Sequence, residues 1–468
     1  MIHRALFSEK TATACIFSSC FMFILASFFL YPYTDTYYYW DWSRHLALSY
    51  YDGPPMVAYL LRGYTVFFGN TFFALNFFGA SMLFITAFFI YKIGLLLFDR
   101  QIALNAAFLW LVGPSLNSHL FIRITYDAPF CLFWASTLYF VVKYLEHQKT
   151  RDIYWAGGMI GLMLLSKYIG IILVLALFVF ILFRRRSLLF NKHIYFSMLL
   201  AACLFSPVLI WNAGHQWTSF LFQLKAHSYC TSSFVAMKRL LSRMVLSYNF
   251  LFLVCVIGLY KVRATKKDSV LLLNITWILV SLFFLTCAFL KDDILENYFF
   301  PGLISLVLLS VYYIAALRLR KTFLLIAAVY LCRFVLLLIH HSLPSPYGGT
   351  EHMLFALSHI LEKQYIPQHS VIMVPDWETA ARLSFWLKNH PTVFVSPWSQ
   401  RANQYAEWSQ PVINTIQIKK IPEVFYVDFQ YQPDRIHSVK GFLHHCAALQ
   451  PLANLGDSPR VFVYRCRM

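Results

Sequence analysis

The stretch TDTYYYWDWSRHLALSYYDGPPMVAYLLR, residues 34–62, follows one long apolar segment and precedes another. It contains three acidic residues, Asp35, Asp41 and Asp52, within a dense set of aromatic residues. A simple connection between two membrane spans needs only a few polar residues. A long aromatic connection that carries carboxylates therefore predicts chemistry at a membrane surface.

The composition indicates a polytopic membrane protein. Of the 468 residues, 59% are hydrophobic and 13% are charged, and the mean hydropathy is +0.59. Soluble domains contain about 25% charged residues. The net charge of +18 lies largely in short clusters between apolar segments, which is typical of cytoplasmic loops and does not indicate a nucleic-acid partner. The ten cysteines show neither a CxxC pair nor zinc-ligand spacing.

The apolar runs predict a mainly α-helical transmembrane bundle of about 11–13 spans, because about 20 apolar residues cross a bilayer. The N-terminus is short and basic and is expected in the cytoplasm, and the first span is expected to remain uncleaved. The expected spans outside residues 153–183 are 13–31, 72–97, 102–121, 127–145, 194–211, 246–262, 270–290, 298–316 and 322–341.

Residues 153–183 can cross the membrane once or twice, and the charges at their two ends distinguish these arrangements. They are apolar except at Ser166-Lys167-Tyr168, and basic residues flank both ends. If both flanks are cytoplasmic, the segment crosses twice and turns at Lys167. Each pass is then short, which protein surroundings can accommodate. This arrangement predicts an N-terminus inside and a C-terminus outside.

The character of the sequence changes near residue 342. Short β-type runs at 370–374, 392–395, 424–427 and 460–464 alternate with helix-like stretches such as 378–387. We therefore expect a transmembrane domain at 1–341 with a large first periplasmic loop, and a small periplasmic α/β domain at 342–468. A disulfide between Cys446 and Cys466 is compatible with that compartment, but the sequence leaves the pairing open.

The unusual polar residues fall on connections that this topology places outside. The cations of 212–245 favour an anionic ligand, for which phosphate on a lipid carrier is suitable. The outer connections contain Asp35, Asp41, Arg44, His45, Asp52, Arg62, Arg123, Asp127, Lys167, Asn212, His215, Trp217, Gln223, Lys225, Lys238, Arg239, Arg243, Asp292, Asp293, Glu296 and Asn297.

Ordinary structural explanations remain open for most of these residues. Asp35 has the strongest functional case, because it directly follows a span, between Tyr33 and Tyr37, with no basic residue nearby in sequence. The alternatives are a solvated pair for Asp41 and Arg44, a turn residue for Asp52, a helix cap for Asp127, loop surface for His215, snorkelling for Lys167, and an interfacial belt for the Tyr and Trp cluster.

The motifs resemble those of bacterial membrane glycosyltransferases of the C superfamily, which includes aminoarabinose transferases and protein O-mannosyltransferases. The first loop resembles the pattern D-E-A-Y-Y-W followed by Y-Y-D-H-P-P. The likeness continues, in order, through TYDAPFCLFW at 125–134, LLSKYIG at 164–170, WNAGHQWTSFLFQ at 211–223, ENYFFPG at 296–302, RLSFWL at 382–387 and RANQYAEW at 401–408.

The resemblance implies roles for individual residues. Asp35 matches the first-loop aspartate that acts as general base, and Asp127 matches the second-loop acid of the catalytic centre. Asp52 matches the acid before the Pro pair, and it is the expected ligand if a divalent cation is used; no cofactor is otherwise implied. Lys167 matches a lysine that faces the phosphate of the donor. The other residues expected to bind substrate are Tyr38, Tyr51, Tyr168, His215, Lys225, Arg243 and Asn297.

The same resemblance implies an inverting transfer of a sugar from a polyprenyl (undecaprenyl) phosphate to lipid A, lipopolysaccharide or another cell-envelope acceptor, at the periplasmic face of a bacterial inner membrane. Two alternatives remain. A flippase or transporter would carry ionisable residues near mid-membrane on broken helices. A catalytically degenerate member is the other alternative. Thr36 stands where the family usually has Glu, and Gly53 stands where the family often has His or Lys.

Overall fold

The computed structural model describes most of the chain. The described residues are 5–113, 121, 123–225, 251–262, 267–290, 296–342, 358, 371–388, 390–396, 403–417, 423–428, 446–449 and 462–467. They form two compact units. The first unit contains Met1–Leu30 and Leu46–Ile339, and the second contains Tyr31–His45 and His340–Met468.

The first unit is a helical bundle. Its helices are α1 Glu9–Phe29, α3 Met56–Phe68, α4 Phe72–Leu97, α5 Arg100–Leu111, α6 Asp127–His147, α7 Thr150–Leu164, α8 Ile171–Arg184, α9 Lys192–Gly214, α10 Thr218–Lys225, α11 Leu251–Lys261, α12 Asp268–Leu290, α13 Phe300–Ala316 and α14 Arg320–Ser342. Within the described residues, seven helices are long and apolar enough to cross a membrane, and three shorter apolar helices accompany them. The predicted polytopic helical fold is confirmed.

The break in residues 153–183 is confirmed. Helices α7 and α8 are separated by Leu165–Gly170, so each is short. At one end of the bundle, Lys167 contacts Asp127, the first residue of α6. At the other end, Arg184 pairs with Asp268, and Ser269 donates to Glu146 near the end of α6. Helices α7 and α8 therefore run in opposite directions, with both basic flanks at the same end of the bundle.

The second unit contains a five-stranded mixed sheet. Its strands are β1 Val371–Val374, β2 Val393–Val395, β3 Glu423–Asp428, β4 Cys446–Leu449 and β5 Phe462–Arg467. The strand order is β2-β1-β3-β5-β4. Strand β1 pairs in parallel with β2 and β3, and β5 pairs antiparallel with β3 and β4. The sequence predicted four of these strands near their observed positions but missed β4, a run of four residues with two alanines.

Three helices belong to the second unit. They are α2 Thr34–Arg44, α15 Trp377–Trp386 and α16 Gln404–Gln417. Asp376 caps α15 by accepting a hydrogen bond from the Thr379 N–H at 2.8 Å. Helix α2 lies in the first loop. The sequence analysis had placed this loop in the transmembrane domain at 1–341.

The aromatic residues of α2 form part of the core of the second unit. Nine of its eleven residues are buried. The Tyr37 ring packs against Phe385 with centroids 5.0 Å apart, and Trp40 packs against the same ring at 4.9 Å. The interpretation of this cluster as an interfacial belt is therefore wrong for these two residues, because the sheet unit supplies their apolar surroundings.

The solvated ion pair expected at Asp41 and Arg44 is also corrected. The pair forms, with Arg44 Nη1 2.8 Å from Asp41 Oδ1, but Asp41 is fully buried. The pairing was predictable from the spacing of three residues on a helix, whereas the burial results from packing against distant sequence.

Cys466 of β5 is disulfide-bonded. The register of the β4–β5 pair places Cys446 directly opposite Cys466. The sequence had left this pairing open.

Candidate active site

Asp127 is the centre of a buried polar cluster in the first unit. It is the first residue of α6 and is 1% exposed. Its Oδ1 accepts a hydrogen bond from Lys167 Nζ at 2.6 Å. Its Oδ2 accepts from Asn297 Nδ2 at 2.7 Å and from Thr125 Oγ1 at 2.9 Å. Three donors, one of them cationic, hold this carboxylate in a single orientation.

Lys167 lies at the break between α7 and α8 and is 8% exposed. Its ammonium group stands 4.8 Å from the centroid of the Tyr126 ring and 4.9 Å from that of Tyr298. An ammonium group has three N–H donors, and the bond to Asp127 uses one. Two aromatic faces and one carboxylate therefore fix a buried cation.

Asn297 connects a third element to the cluster. It lies in the 3₁₀ turn Glu296–Phe299 that precedes α13. Its amide nitrogen donates to Asp127, and this bond determines which way the amide points. Its Oδ1 is buried and has no hydrogen-bond partner among the described residues. A buried acceptor without a donor is costly, so this atom is suited to a hydroxyl or amino group of a ligand.

Three connections pack together beside Lys167. The Met56 N–H donates to the Leu165 carbonyl at 3.1 Å. The Tyr168 hydroxyl lies 2.7 Å from Ser219 Oγ. Gln223 Nε2 donates to the Asp52 carbonyl. The structure thus brings the first-loop Pro pair, the α7–α8 break and helix α10 into one group.

The predicted site residues fall into several groups. Asp127, Lys167 and Asn297 form the cluster, and Asp52, Tyr51 and Tyr168 belong to the adjacent connections, where the Tyr51 ring packs on Phe222 at 5.2 Å. His215 is exposed and stacks on Trp211 at 3.9 Å, as the loop-surface alternative expected. Arg243 and the side chain of Lys225 lie outside the described residues.

Asp35 and Tyr38 lie in the second unit, on α2. Asp35 is partly buried. Tyr38 is 2% exposed, and its hydroxyl accepts a hydrogen bond from the Gln404 N–H at 3.0 Å. The surroundings of Tyr38 are those of a core residue, so we do not assign it to substrate.

The described residues contain no group of three or more His, Cys, Asp and Glu side chains that could hold a metal ion. Asp52 is therefore not accompanied by a ligand set here, and Thr36 and Gly53 supply no side-chain ligands typical of divalent cations.

Sequence reasoning missed three members of the cluster. They are Thr125, Tyr126 and Tyr298, which donate to Asp127 or face Lys167. Each lies within two residues of a predicted site residue, so the motifs TYD and ENY contained the available signal. The direct pairing of Lys167 with Asp127 carried no local signal, because 40 residues separate them.

The sequence shows a partial match to one family. Residues 52–211 match the profile of the dolichyl-phosphate-mannose-protein mannosyltransferase family. The match covers 160 of the 468 residues and includes Asp52, Asp127 and Lys167. No curated protein sequence matches this chain with significance.

The fold is similar to solved membrane proteins over nearly the whole chain. ArnT from Cupriavidus metallidurans in the apo state has a TM-score of 0.70 at 14% identity, covering 97% of this chain and 98% of that one. ArnT bound to undecaprenyl phosphate has a TM-score of 0.72 at 13% identity, with 98% of each chain covered. The archaeal oligosaccharyltransferase AglB from Archaeoglobus fulgidus, in complex with an inhibitory peptide and a dolichol-phosphate, has a TM-score of 0.51 at 13% identity, covering 88% of this chain and 69% of that one.

The chain therefore shares the fold of ArnT, and the partial profile match agrees with the resemblance found in the sequence motifs. It is a multi-pass membrane protein. At this level of identity the likeness establishes the architecture, and the chemistry is argued from the site.

Proposed function

We propose that the protein is an inverting glycosyltransferase that moves a sugar from a polyprenyl phosphate to a lipid or glycan acceptor of the cell envelope. The observation that carries the proposal is the buried cluster of Asp127, Lys167 and Asn297 in a bundle with this fold. Binding of undecaprenyl phosphate by ArnT and of dolichol-phosphate by AglB supports a donor of this class.

Lys167 is proposed to bind the phosphate of the carrier. When the bond between the anomeric carbon and the phosphate oxygen breaks, negative charge grows on that phosphate, and a fixed ammonium group stabilises it. The aromatic faces of Tyr126 and Tyr298 shield the ammonium from water, which strengthens the interaction. No strong acid is required, because the leaving group is already a phosphate.

Asp127 is proposed to hold Lys167 in place. The side-chain oxygens of Asp127 accept hydrogen bonds from Lys167, Asn297 and Thr125, which use three of the about four lone-pair positions of a carboxylate. A general base must instead have a lone pair directed at the acceptor. We therefore assign Asp127 to the orientation of the cation, which refines the catalytic role predicted from sequence.

Asp35 is proposed as the general base. It takes the proton of the acceptor hydroxyl while the acceptor oxygen attacks the anomeric carbon from the face opposite the phosphate. Its support is its position on α2 directly after the first span and its match to the first-loop aspartate of the resembling family. A general base contributes about 10²–10⁴-fold to the rate.

The acceptor is proposed to be lipid A, lipopolysaccharide or a related envelope glycan, and the location a bacterial inner membrane with the second unit in the periplasm. The disulfide at Cys466 supports an oxidising compartment for that unit. The two alternatives are a carrier flippase and a degenerate family member. Against the flippase, the ionisable cluster joins the first residue of α6 to the α7–α8 turn, at one end of the bundle.

The test is sugar transfer by the purified protein, supplied with polyprenyl-phosphate sugars and extracted outer-membrane lipids, with products read by mass spectrometry. We expect a glycosylated lipid and free polyprenyl phosphate. Lys167→Ala should raise the donor concentration needed for half-saturation, whereas Lys192→Ala, an exposed lysine at the start of α9, should not. Donor movement between leaflets of proteoliposomes without product formation would support the flippase instead.

A further inference from the structure

Helix α2 belongs to the sheet unit although the chain on both sides of it belongs to the bundle. The helix carries Asp35, the proposed base. Its polypeptide connections at Leu30 and Leu46 are continuous with the first unit, yet its side chains are buried against residues more than 340 positions later. Long-range contacts of this kind determine where a short helix rests, because its own sequence provides little stability.

A buried ion pair fixes the C-terminal end of α2. Asp41 Oδ1 accepts from Arg44, and Asp41 Oδ2 accepts from the Tyr405 hydroxyl of α16 at 2.6 Å. Burial, and then the neighbouring Asp41 carboxylate, raise the pKa of Tyr405 well above its usual value. The phenol therefore remains protonated and keeps donating.

Arg44 extends this connection to a second element. Its Nη2 donates to the carbonyl of His390, in the segment after α15, while its guanidinium carbon lies 4.7 Å from the centroid of the Trp40 ring. The planar guanidinium group satisfies a carboxylate, a carbonyl and an aromatic face at once, which a lysine cannot reproduce.

A second attachment holds the N-terminal end, next to Asp35. Arg382 of α15 donates from Nη2 to the hydroxyl of Thr34, which immediately precedes Asp35. One turn further, the Tyr38 hydroxyl accepts from the backbone N–H of Gln404. Both ends of an eleven-residue helix are thus attached to the sheet unit by polar bonds.

We propose that the C-terminal sheet unit is a positioning device for the catalytic aspartate, with Arg382 and Tyr405 as positioning residues that act through Thr34 and Asp41. The inference rests on the proposed function, in which Asp35 is the base. A displacement of about 1 Å of a catalytic group costs about 10²-fold in rate, so loosening α2 lowers turnover without removing any group that touches substrate.

The experiment uses the full-length protein in detergent. Tyr405→Phe removes only the hydroxyl that donates to Asp41. Arg382→Ala removes the donor to Thr34, and Arg382→Lys restores one N–H donor. Gln410→Ala, an exposed residue of the same helix as Tyr405, is the matched control. Each variant is measured by hydrogen–deuterium exchange of peptides covering 34–44 and by sugar transfer at several donor concentrations.

We expect faster exchange in 34–44 for Tyr405→Phe and Arg382→Ala, with β1 and β3 still protected. Turnover at saturating donor should fall about 10–10²-fold with half-saturation unchanged, and Arg382→Lys should recover much of the turnover. Unchanged exchange in 34–44, or faster exchange with wild-type turnover, would each overturn the inference. If the wild-type protein transfers no sugar, the proposed function and this inference fail together; if it transfers sugar and Tyr405→Phe equals it, only the inference fails.

Discussion

Asp127 receives hydrogen bonds from side chains that lie 2, 40 and 170 positions away along the chain. Two of these partners, Lys167 and Asn297, were conspicuous in the sequence as polar residues near apolar segments, and Thr125 was not. Their convergence depends on the turn at Lys167 and on the start of α13, which are tertiary features. Residue types in an apolar chain therefore predicted the ionisable members of the cluster and Asn297, but not the pairing that assigns their roles.

The pairing predicts strong energetic coupling between Asp127 and Lys167. Asp127→Asn leaves a buried ammonium without its counter-ion, and breaking such a pair costs about 3–5 kcal/mol. The double variant Asp127→Asn/Lys167→Met removes both charges and should be less destabilised than the sum of the single variants. The stabilities of the wild type, the two single variants and the double variant are compared by thermal unfolding in detergent. Additive effects within about 0.5 kcal/mol would show that the two groups do not interact.

The assignment of Asp35 as base predicts a selective loss of turnover. Asp35→Asn keeps the shape and removes the basicity, so turnover at saturating donor should fall by at least about 10²-fold, while expression and donor binding stay close to wild type. The matched control is Asp376→Asn in the same unit, because asparagine caps a helix as well as aspartate does.

Asp41→Asn is unsuitable as a control, because Asp41 is buried and bonded to Arg44 and Tyr405; we expect this variant to be destabilised. Wild-type turnover by Asp35→Asn would require another base.

The arrangement of helices α7 and α8 was predictable from the sequence, whereas the burial of α2 in the sheet unit was not. Residues 153–183 form an apolar run of 31 residues that is interrupted by a lysine and flanked by cations. Such a run can be arranged in a bilayer in only a few ways. The sequence of α2 is rich in threonine and aromatic residues, which are mediocre helix formers. It is helical because the sheet unit buries one residue after another along it. Sequence patterns therefore identify helices that lie in the bilayer. They are less informative about a helix that is buried by a distant part of the chain.

Helix α7 also approaches α9 unusually closely. A Cβ atom at Gly157 would lie 2.3 Å from Ser197 Oγ and 2.5 Å from the Ser197 carbonyl, and one at Gly161 would lie 2.7 Å from Leu204 Cβ. Glycines four residues apart let membrane helices approach to this distance. Ser197 Oγ further donates to the Ile153 carbonyl across the interface at 2.9 Å.

Gly157→Ala should therefore destabilise the protein by about 1–3 kcal/mol, the usual cost of overpacking. Gly158→Ala is the matched control, because its Cβ would meet only Leu200 Cδ2, at 4.0 Å, and alanine favours helix. Unfolding temperature in one detergent is the measurement. Equal stability of the two variants would show that the helices are not in this close contact.

At the scale of the molecule, composition was sufficient for the class of protein, and the ordered motifs were sufficient for the fold. The division into two units could not be predicted from the sequence in the same way. Residues 31–45 join 340–468 through bonds between residues as far apart as Tyr38 and Gln404, and no local pattern encodes such a partner. The first loop was predicted to belong to the transmembrane domain because its neighbours in the sequence are membrane spans.

We propose an orientation of the protein in the membrane from the charges at the two ends of the bundle. One end holds Lys143 with Asp152, and Arg184 and Arg185 with Asp268, and positive loops remain in the cytoplasm. The other end holds the Asp127–Lys167 cluster. The disulfide at Cys466 favours an oxidising compartment for the second unit, because disulfides persist mainly in such compartments. Both arguments favour the proposed orientation, in which the basic end is cytoplasmic and the C-terminal unit is periplasmic.

A reporter enzyme that is active only in the periplasm should therefore be inactive when fused after residue 186 and active when fused after residue 345. The first fusion tests the α7–α8 hairpin, because a single crossing by residues 153–183 would carry the basic triplet 184–186 outward and make the fusion active. The second tests the placement of the sheet unit, and Cys466 in intact cells should resist a membrane-impermeant maleimide until a reductant is added. Activity after residue 186 would reverse the orientation and place the Asp127–Lys167 cluster at the cytoplasmic face, where a donor exposed in the periplasm could not reach it.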